Sequence, residues 1–185
     1  MKNTNRTVFT LLSIIFVSCI SFSADVKPEV YSATAVYTTG RARTVPVKIY
    51  VSSYTTDEEV AQLANILKTQ GSDALLKAIN KMDRGKLAVV GKTGTNAGVV
   101  RSKATDKGTT ITMVMDRPQA FAELWANTRS TDYPFGILQI TVDKDGKGEG
   151  QLMVAAKIGF SSDNTIEVES YGIQPLRLMS VRKLN

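Results

Sequence analysis

The feature that most restricts how this chain can fold is a period-two alternation of apolar and polar residues, repeated in short segments. Val45, Val47, Ile49 and Val51 alternate with Thr44, Pro46, Lys48 and Tyr50; Leu138, Ile140 and Val142 alternate in a second segment, and Leu152, Val154, Ala156 and Ile158 in a third. Successive side chains of a strand point to opposite faces, so each segment reads as a strand with one face buried. Tyr31 to Thr38, Leu87 to Val90 and Leu176 to Lys183 add further β-rich stretches, and Val99 to Lys103 and Thr109 to Met115 flank Asp106-Lys107-Gly108 as a hairpin. Asp143 to Gly148 and Ser161 to Asn164 are polar turns too short to carry a crossover helix, which makes the neighbouring strands antiparallel.

Helical signals interrupt this pattern. Thr56-Asp57-Glu58-Glu59 has the form of a capping box, in which Thr56 accepts from the third helical amide and Glu59 reaches back. Val60, Leu63, Ala64 and Leu67 then share one face, Gly71 stops the helix, and Ser72 is expected to cap a second one bearing Leu75, Leu76, Ile79 and Met82. A third helix is expected from Pro118, with Phe121, Leu124 and Trp125 packed into the core. The resulting expectation is an α+β fold: a mostly antiparallel sheet with a C-terminal four-strand meander and about three short helices.

The N-terminus reads as a secretory signal peptide. Lys2 and Arg6 precede an apolar run from Val8 to Val17, broken only by Thr10 and Ser13, and small residues follow at Ser18, Ser21 and Ser23. That run falls short of the roughly 20 apolar residues a spanning helix needs, so no stable membrane insertion is expected. Cleavage after Ser23 divides the chain into a signal at 1–23 and a single globular domain at 24–185, exported to the periplasm or the extracellular space. The alternative is a lipid anchor on Cys19 in Phe16-Val17-Ser18-Cys19, where Phe16 stands in place of the usual Leu.

Composition then removes whole chemistries. The chain has no His, and its single Cys lies in the signal, so the processed protein has no disulfide, no Cys or His nucleophile, and no zinc or copper site built from nitrogen and sulfur. No metal and no cofactor is expected. Catalysis would have to run on carboxylates, Ser with Lys, Tyr or Arg. Loss of Lys2 and Arg6 lowers the formal charge of +6 by two, and the remaining basic residues are spread singly between acidic ones, which argues against nucleic acid as a partner.

Three motifs invite stronger readings and fail on spacing or order. Gly91-Lys92-Thr93 lacks the correctly placed first Gly of a phosphate loop. Lys92-Thr93-Gly94, Ser162-Asp163-Asn164 and Ser180-Val181-Arg182-Lys183 match elements of the serine β-lactamases, but they run in the reverse order. Asp143-Lys144-Asp145-Gly146 opens like a calcium loop without the later acids, and a tight turn accounts for it.

The densest group of special residues in a predicted loop is Arg129 to Gly136. Arg129, Asp132 and Tyr133 are its ligand-binding candidates, because a guanidinium can grip a carboxylate or phosphate while Asp and Tyr complete a polar pocket. Their structural reading is a junction in which Asp132 caps amides and pairs with Arg129. Gln70 to Leu76, Met82 to Gly85, Ser130 to Leu138, Gly146 to Gly150, Ala155 to Ile158 and Tyr171 to Leu178 together resemble an uncharacterised family of exported bacterial proteins. That resemblance implies export and a single domain, and no mechanism. The expected function is therefore a non-catalytic exported module that binds a protein partner or an apolar small molecule between a curved sheet and its helices. The competing expectation is a carboxylate-dependent hydrolase using Asp132 with Glu167 or Glu169.

Overall fold

Nine strands and two helices follow one another in the computed structural model, which describes residues 28–37, 43–118, 121, 132–160, 166–170 and 174–185. Strands β1 (Glu29–Tyr37) and β2 (Arg43–Val51) lead into helices α1 (Asp57–Gln70) and α2 (Ser72–Ile79). Then come β3 (Gly85–Val89), β4 (Thr95–Thr105), β5 (Gly108–Asp116), β6 (Phe135–Val142), β7 (Lys147–Phe160), β8 (Ile166–Ser170) and β9 (Leu176–Lys183). The signal segment, Cys19, Leu124, Trp125, Arg129 and the Ser161 to Asn164 turn lie outside the described residues.

All strand pairings are antiparallel, as the turns required, but the expected α+β layout with a terminal meander is not what forms. The strands run β6-β5-β4-β3-β2-β1-β9-β7, and β7 pairs back onto β6, so eight strands close into a barrel. The meander fails at one step. β9 does not follow β8 but inserts between β1 and β7, pairing Thr34 with Met179 on one side and Gln151 with Arg177 on the other. β8 is left as a short ninth strand on the far end of β7, where Ile158 faces Val168. Closure removes the open edges that an eight-stranded sheet would otherwise expose.

The barrel interior is filled rather than hollow. Tyr31, Ile49, Leu87, Ile111, Met113, Met115, Leu138, Ile140 and Leu152 are all buried there, and Phe121 joins them just after Pro118. Eight strands enclose a lumen that side chains of this size can fill, and these residues form the main core. Outward positions on β2, β3 and β9 carry Lys48, Lys86, Arg177 and Arg182. Apolar inside and charged outside is the reverse of a lipid-spanning barrel. No helix among the described residues is long and apolar enough to cross a membrane.

A second apolar cluster lies outside the barrel wall, where Leu63, Leu67, Leu75 and Ile79 of the helices meet Phe135, Ile137, Ala156 and Ile158. The uniform alternation read across Leu152 to Ile158 is here broken by a bulge. Phe135 pairs with Ala156 but Ile137 pairs with Met153, so β7 holds one extra residue. Leu152 and Val154 therefore face the lumen, whereas Ala156 and Ile158 face the helices. The expected cap of α2 is also displaced: Gly71, at φ 84°, occupies the capping position, and Ser72 is the first helical residue. Met82 lies beyond the end of α2.

Candidate functional site

The helix pair sits on the barrel wall as a lid fastened at its ends. At the start of α1, Thr56 and Glu59 form the capping box, with Glu59 N–H donating to Thr56 Oγ1 at 3.3 Å and Thr56 N–H donating to Glu59 Oε2 at 3.0 Å. The same Glu59 is ion-paired with Arg84, whose guanidinium also donates to Ser53 Oγ at 3.1 Å. Arg101 on β4 reaches Asp57 at 2.5 Å and donates to the Thr55 carbonyl at 2.7 Å. At the other end, Ser72 Oγ donates to the Ile158 carbonyl at 3.3 Å.

Between these polar ties the helices and the wall do not meet fully. An apolar cleft of about 200 Å³ remains, roofed by Val60, Leu63, Ala64 and Leu67 of α1 and Leu75 and Ile79 of α2. Its floor is the outer face of five strands: Val99 of β4, Thr112 and Val114 of β5, Ile137 of β6, Ile158 of β7 and Val168 of β8. Thr112 has the only polar side chain in this lining, and its hydroxyl accepts from Gln139 Nε2 at 3.4 Å. Val168 is 46% exposed and marks where the cleft opens to solvent. The volume is of the order of an aromatic ring, and the lining is apolar apart from Thr112.

Of the residues singled out from the sequence, Arg129 lies outside the described residues, while Asp132 stands by the α1–α2 junction and Tyr133 reaches β8, neither lining the cleft. Asp132 lines a polar pocket of about 290 Å³ with Gln70, Gly71, Ser72, Asp73, Pro134 and Lys157. Tyr133 Oη donates to Glu169 Oε1 at 2.6 Å. Glu169 is the ladder partner of Lys157, and the next pair along, Ile158 with Val168, belongs to the cleft floor. Consecutive pairs point to opposite faces of the sheet, so Lys157 and Glu169 stand on the other side of these strands from the cleft floor. Glu167 is exposed on the same short strand. Among the described residues, no group of three acids is placed to hold a metal ion.

Sequence reasoning found the helical half of the cleft and missed the floor. The available signal was in β5 and β6, where Val114 and the run Phe135 to Leu138 put apolar residues on both faces of their strands. A strand covered on both faces reads that way, and the second cover here is the helix pair.

The other motifs are not assembled into a site. Lys92 and Thr93 occupy the turn after β3, beside Gly91 at φ 83°, while Ser180 and Lys183 belong to β9, with β1 and β2 between. Ser180 has φ 53° at the bulge where β9 shifts register against β1. Lys183 is engaged with Glu29 at 3.1 Å in a cluster at one end of the barrel. Tyr31 and Tyr54 both donate to Glu29 Oε2, at 2.5 and 3.1 Å. Burial pushes the Glu29 carboxyl up, but hydrogen bonds from Tyr31, Lys183 and Tyr54 and the Lys183 charge outweigh it, leaving its pKa below the ordinary value. Burial and the neighbouring carboxylate raise both phenols, Tyr54 to about 12. The Asp143 carboxylate accepts from the amides of Asp145 and Lys147 at 2.8 and 2.9 Å, the work of a turn residue.

No family model matches the chain, and neither a curated protein nor a solved structure matches it, so what the protein can do has to be read from its own residues.

Proposed function

We propose that this is an exported, non-catalytic binding module that holds a small apolar ligand, or the apolar end of a larger one, between its helix pair and the barrel wall. The observation that carries this reading is the cleft of about 200 Å³, lined by apolar side chains from both helices and five strands. Such a space is poor for water, because its lining offers only the Thr112 hydroxyl, already engaged with Gln139, against the roughly 2–4 polar partners a buried water needs. It also leaves apolar side chains without contacts on one side, which an apolar guest restores. The Lys2 and Arg6 region with its short apolar run supports export.

Methyl NMR on the processed protein, titrated separately with benzene and octanoate, tests the reading. Saturable shifts confined to Leu63, Leu67, Ile79, Ile137 and Ile158 are expected. Ala64→Phe, which fills the cleft from α1, should abolish them without lowering the melting temperature. Shifts that never saturate, or that persist in the filled variant, would remove the cleft as a binding site.

A further inference from the structure

The wall of the barrel away from the helices gathers cations that are far apart along the chain. Ladder register places Lys147 beside Arg182, Arg182 opposite Ser32, and Ser32 opposite Lys48, forming one row of outward positions across β7, β9, β1 and β2. Lys86 lies opposite Tyr50 on β2, and Arg177 lies opposite Val36 on β1. Between the basic rows runs an uncharged one, Met179, Thr34 and Pro46, which Val90 extends by donating its N–H to the Pro46 carbonyl at 3.0 Å. Met179 and Val90 are 43% and 53% exposed, the first and last residues of that row.

On β9, β1, β2 and β3 no free acidic residue balances this face, and Glu149 stands on the same side of β7 two residues from Lys147. Glu29, the one acid on β1, β2, β3 and β9, is held by Tyr31, Tyr54 and Lys183. Lys48, Lys86, Arg177 and Arg182 form no ion pair among the described residues. Acids on its margins are Asp83, in a groove with Lys86, and Asp143 and Glu149, in a groove with Lys147 and Arg177. Asp57, Glu58, Glu59, Asp73, Glu167 and Glu169 belong instead to the helix pair and β8. On the helix side these acids are interleaved with Lys68, Lys77, Arg84, Arg101 and Lys157, whereas the β9-β1-β2-β3 wall carries an excess of cations.

We propose that the β9-β1-β2-β3 face docks on the surface of an anionic lipid bilayer, its basic rows on the headgroups and its apolar row at the headgroup boundary. Charge alone would equally serve a nucleic acid. The exposed Met179, Pro46 and Val90 decide between them, because apolar groups among the cations gain free energy in a lipid interface and none against a phosphodiester backbone. This proposal is independent of the apolar cleft, which lies on the helix-covered wall.

Flotation of the processed protein with vesicles tests it. Binding to phosphatidylcholine vesicles containing phosphatidylglycerol is expected, with little to phosphatidylcholine alone, and salt near 1 M should reverse it, since the Debye length there is about 3 Å. Each of Lys48→Ser, Lys86→Ser, Arg177→Ser and Arg182→Ser should weaken binding about fivefold, the factor that corresponds to ~1 kcal/mol per surface cation. Met179→Ser should weaken it while leaving the salt dependence unchanged. All five side chains stand on the outer surface, so matched thermal melts separate lost binding from lost folding. Equal binding to both kinds of vesicle, binding unaffected by the charge variants, or displacement from vesicles by equimolar duplex DNA would overturn the proposal.

Discussion

At the end of the barrel a single carboxylate organises three side chains. Glu29 accepts from Tyr31 and Tyr54 on one oxygen and meets Lys183 on the other, joining β1 to the β2–α1 linker and to the last strand. Its pKa is depressed by those partners despite burial, and the sign of the pH effect follows. A group with a lowered folded pKa contributes stability above its unfolded value, about 4.3, and loses it as pH falls through the folded one. Glu29→Gln should thus melt below the parent at neutral pH, with the gap closing as pH drops through and below the carboxylate range. Melting curves collected across that range check it; a gap that stays constant would mean that the carboxylate charge contributes nothing. At high pH the same cluster acts oppositely, because Tyr54, raised to about 12, favours the folded state fully only below about 10.

Among the elements, the helix pair depends on a short linker for its position. Beyond Ala97, β4 no longer pairs with β3, and Thr55 takes over that edge: its N–H donates to the Val100 carbonyl at 2.8 Å and its Oγ1 accepts from Val100 N–H at 2.9 Å. Thr55 is the one buried polar residue among those described, so Val100 N–H has no access to water as a substitute. Thr55→Val keeps the shape and strands that donor, which should cost about 1–3 kcal/mol, whereas Thr55→Ser should retain most of the stability. Chemical denaturation of the two variants measures the difference; equal stabilities would show that the hydrogen bond is dispensable. The capping box one residue later was legible in the sequence because every atom in it belongs to four consecutive residues. The Thr55 clamp was not, since its partner lies 45 positions away. Nor was the β7 bulge, because Leu152, Val154, Ala156 and Ile158 alternate without a break and only the partner strand reveals the added residue.

For the whole molecule, closure depends on backbones approaching closely along β7. A Cβ on Gly148 would lie 1.8 Å from the Thr141 carbonyl oxygen, and one on Gly150 2.3 Å from that of Gln139, so the β6–β7 seam admits no side chain at either position. Gly148→Ala should cost about 3 kcal/mol or more, with the seam forced apart. Gly159→Ala is the control: its Cβ would meet nothing within 4 Å, and it should leave the melting temperature unchanged or raise it. A Gly148→Ala protein that melts with the parent would refute the seam. What the sequence by itself determined were the properties carried by neighbours in the chain: strands from period two, antiparallel pairing from short turns, the two helices from their cap and stop, and Leu138, Ile140, Ile49 and Phe121 as core. What only the tertiary structure decided were the properties carried by residues far apart. Insertion of β9 between β1 and β7 turned an expected meander into a closed barrel, because either edge of β7 could satisfy its backbone and only long-range register selects one. The same register brought Arg177, Arg182, Lys48 and Lys86, spread singly along the chain, onto one wall. It also set the helix stripe against Val99, Val114 and Ile137, making a cleft from residues whose separate patterns speak only of burial.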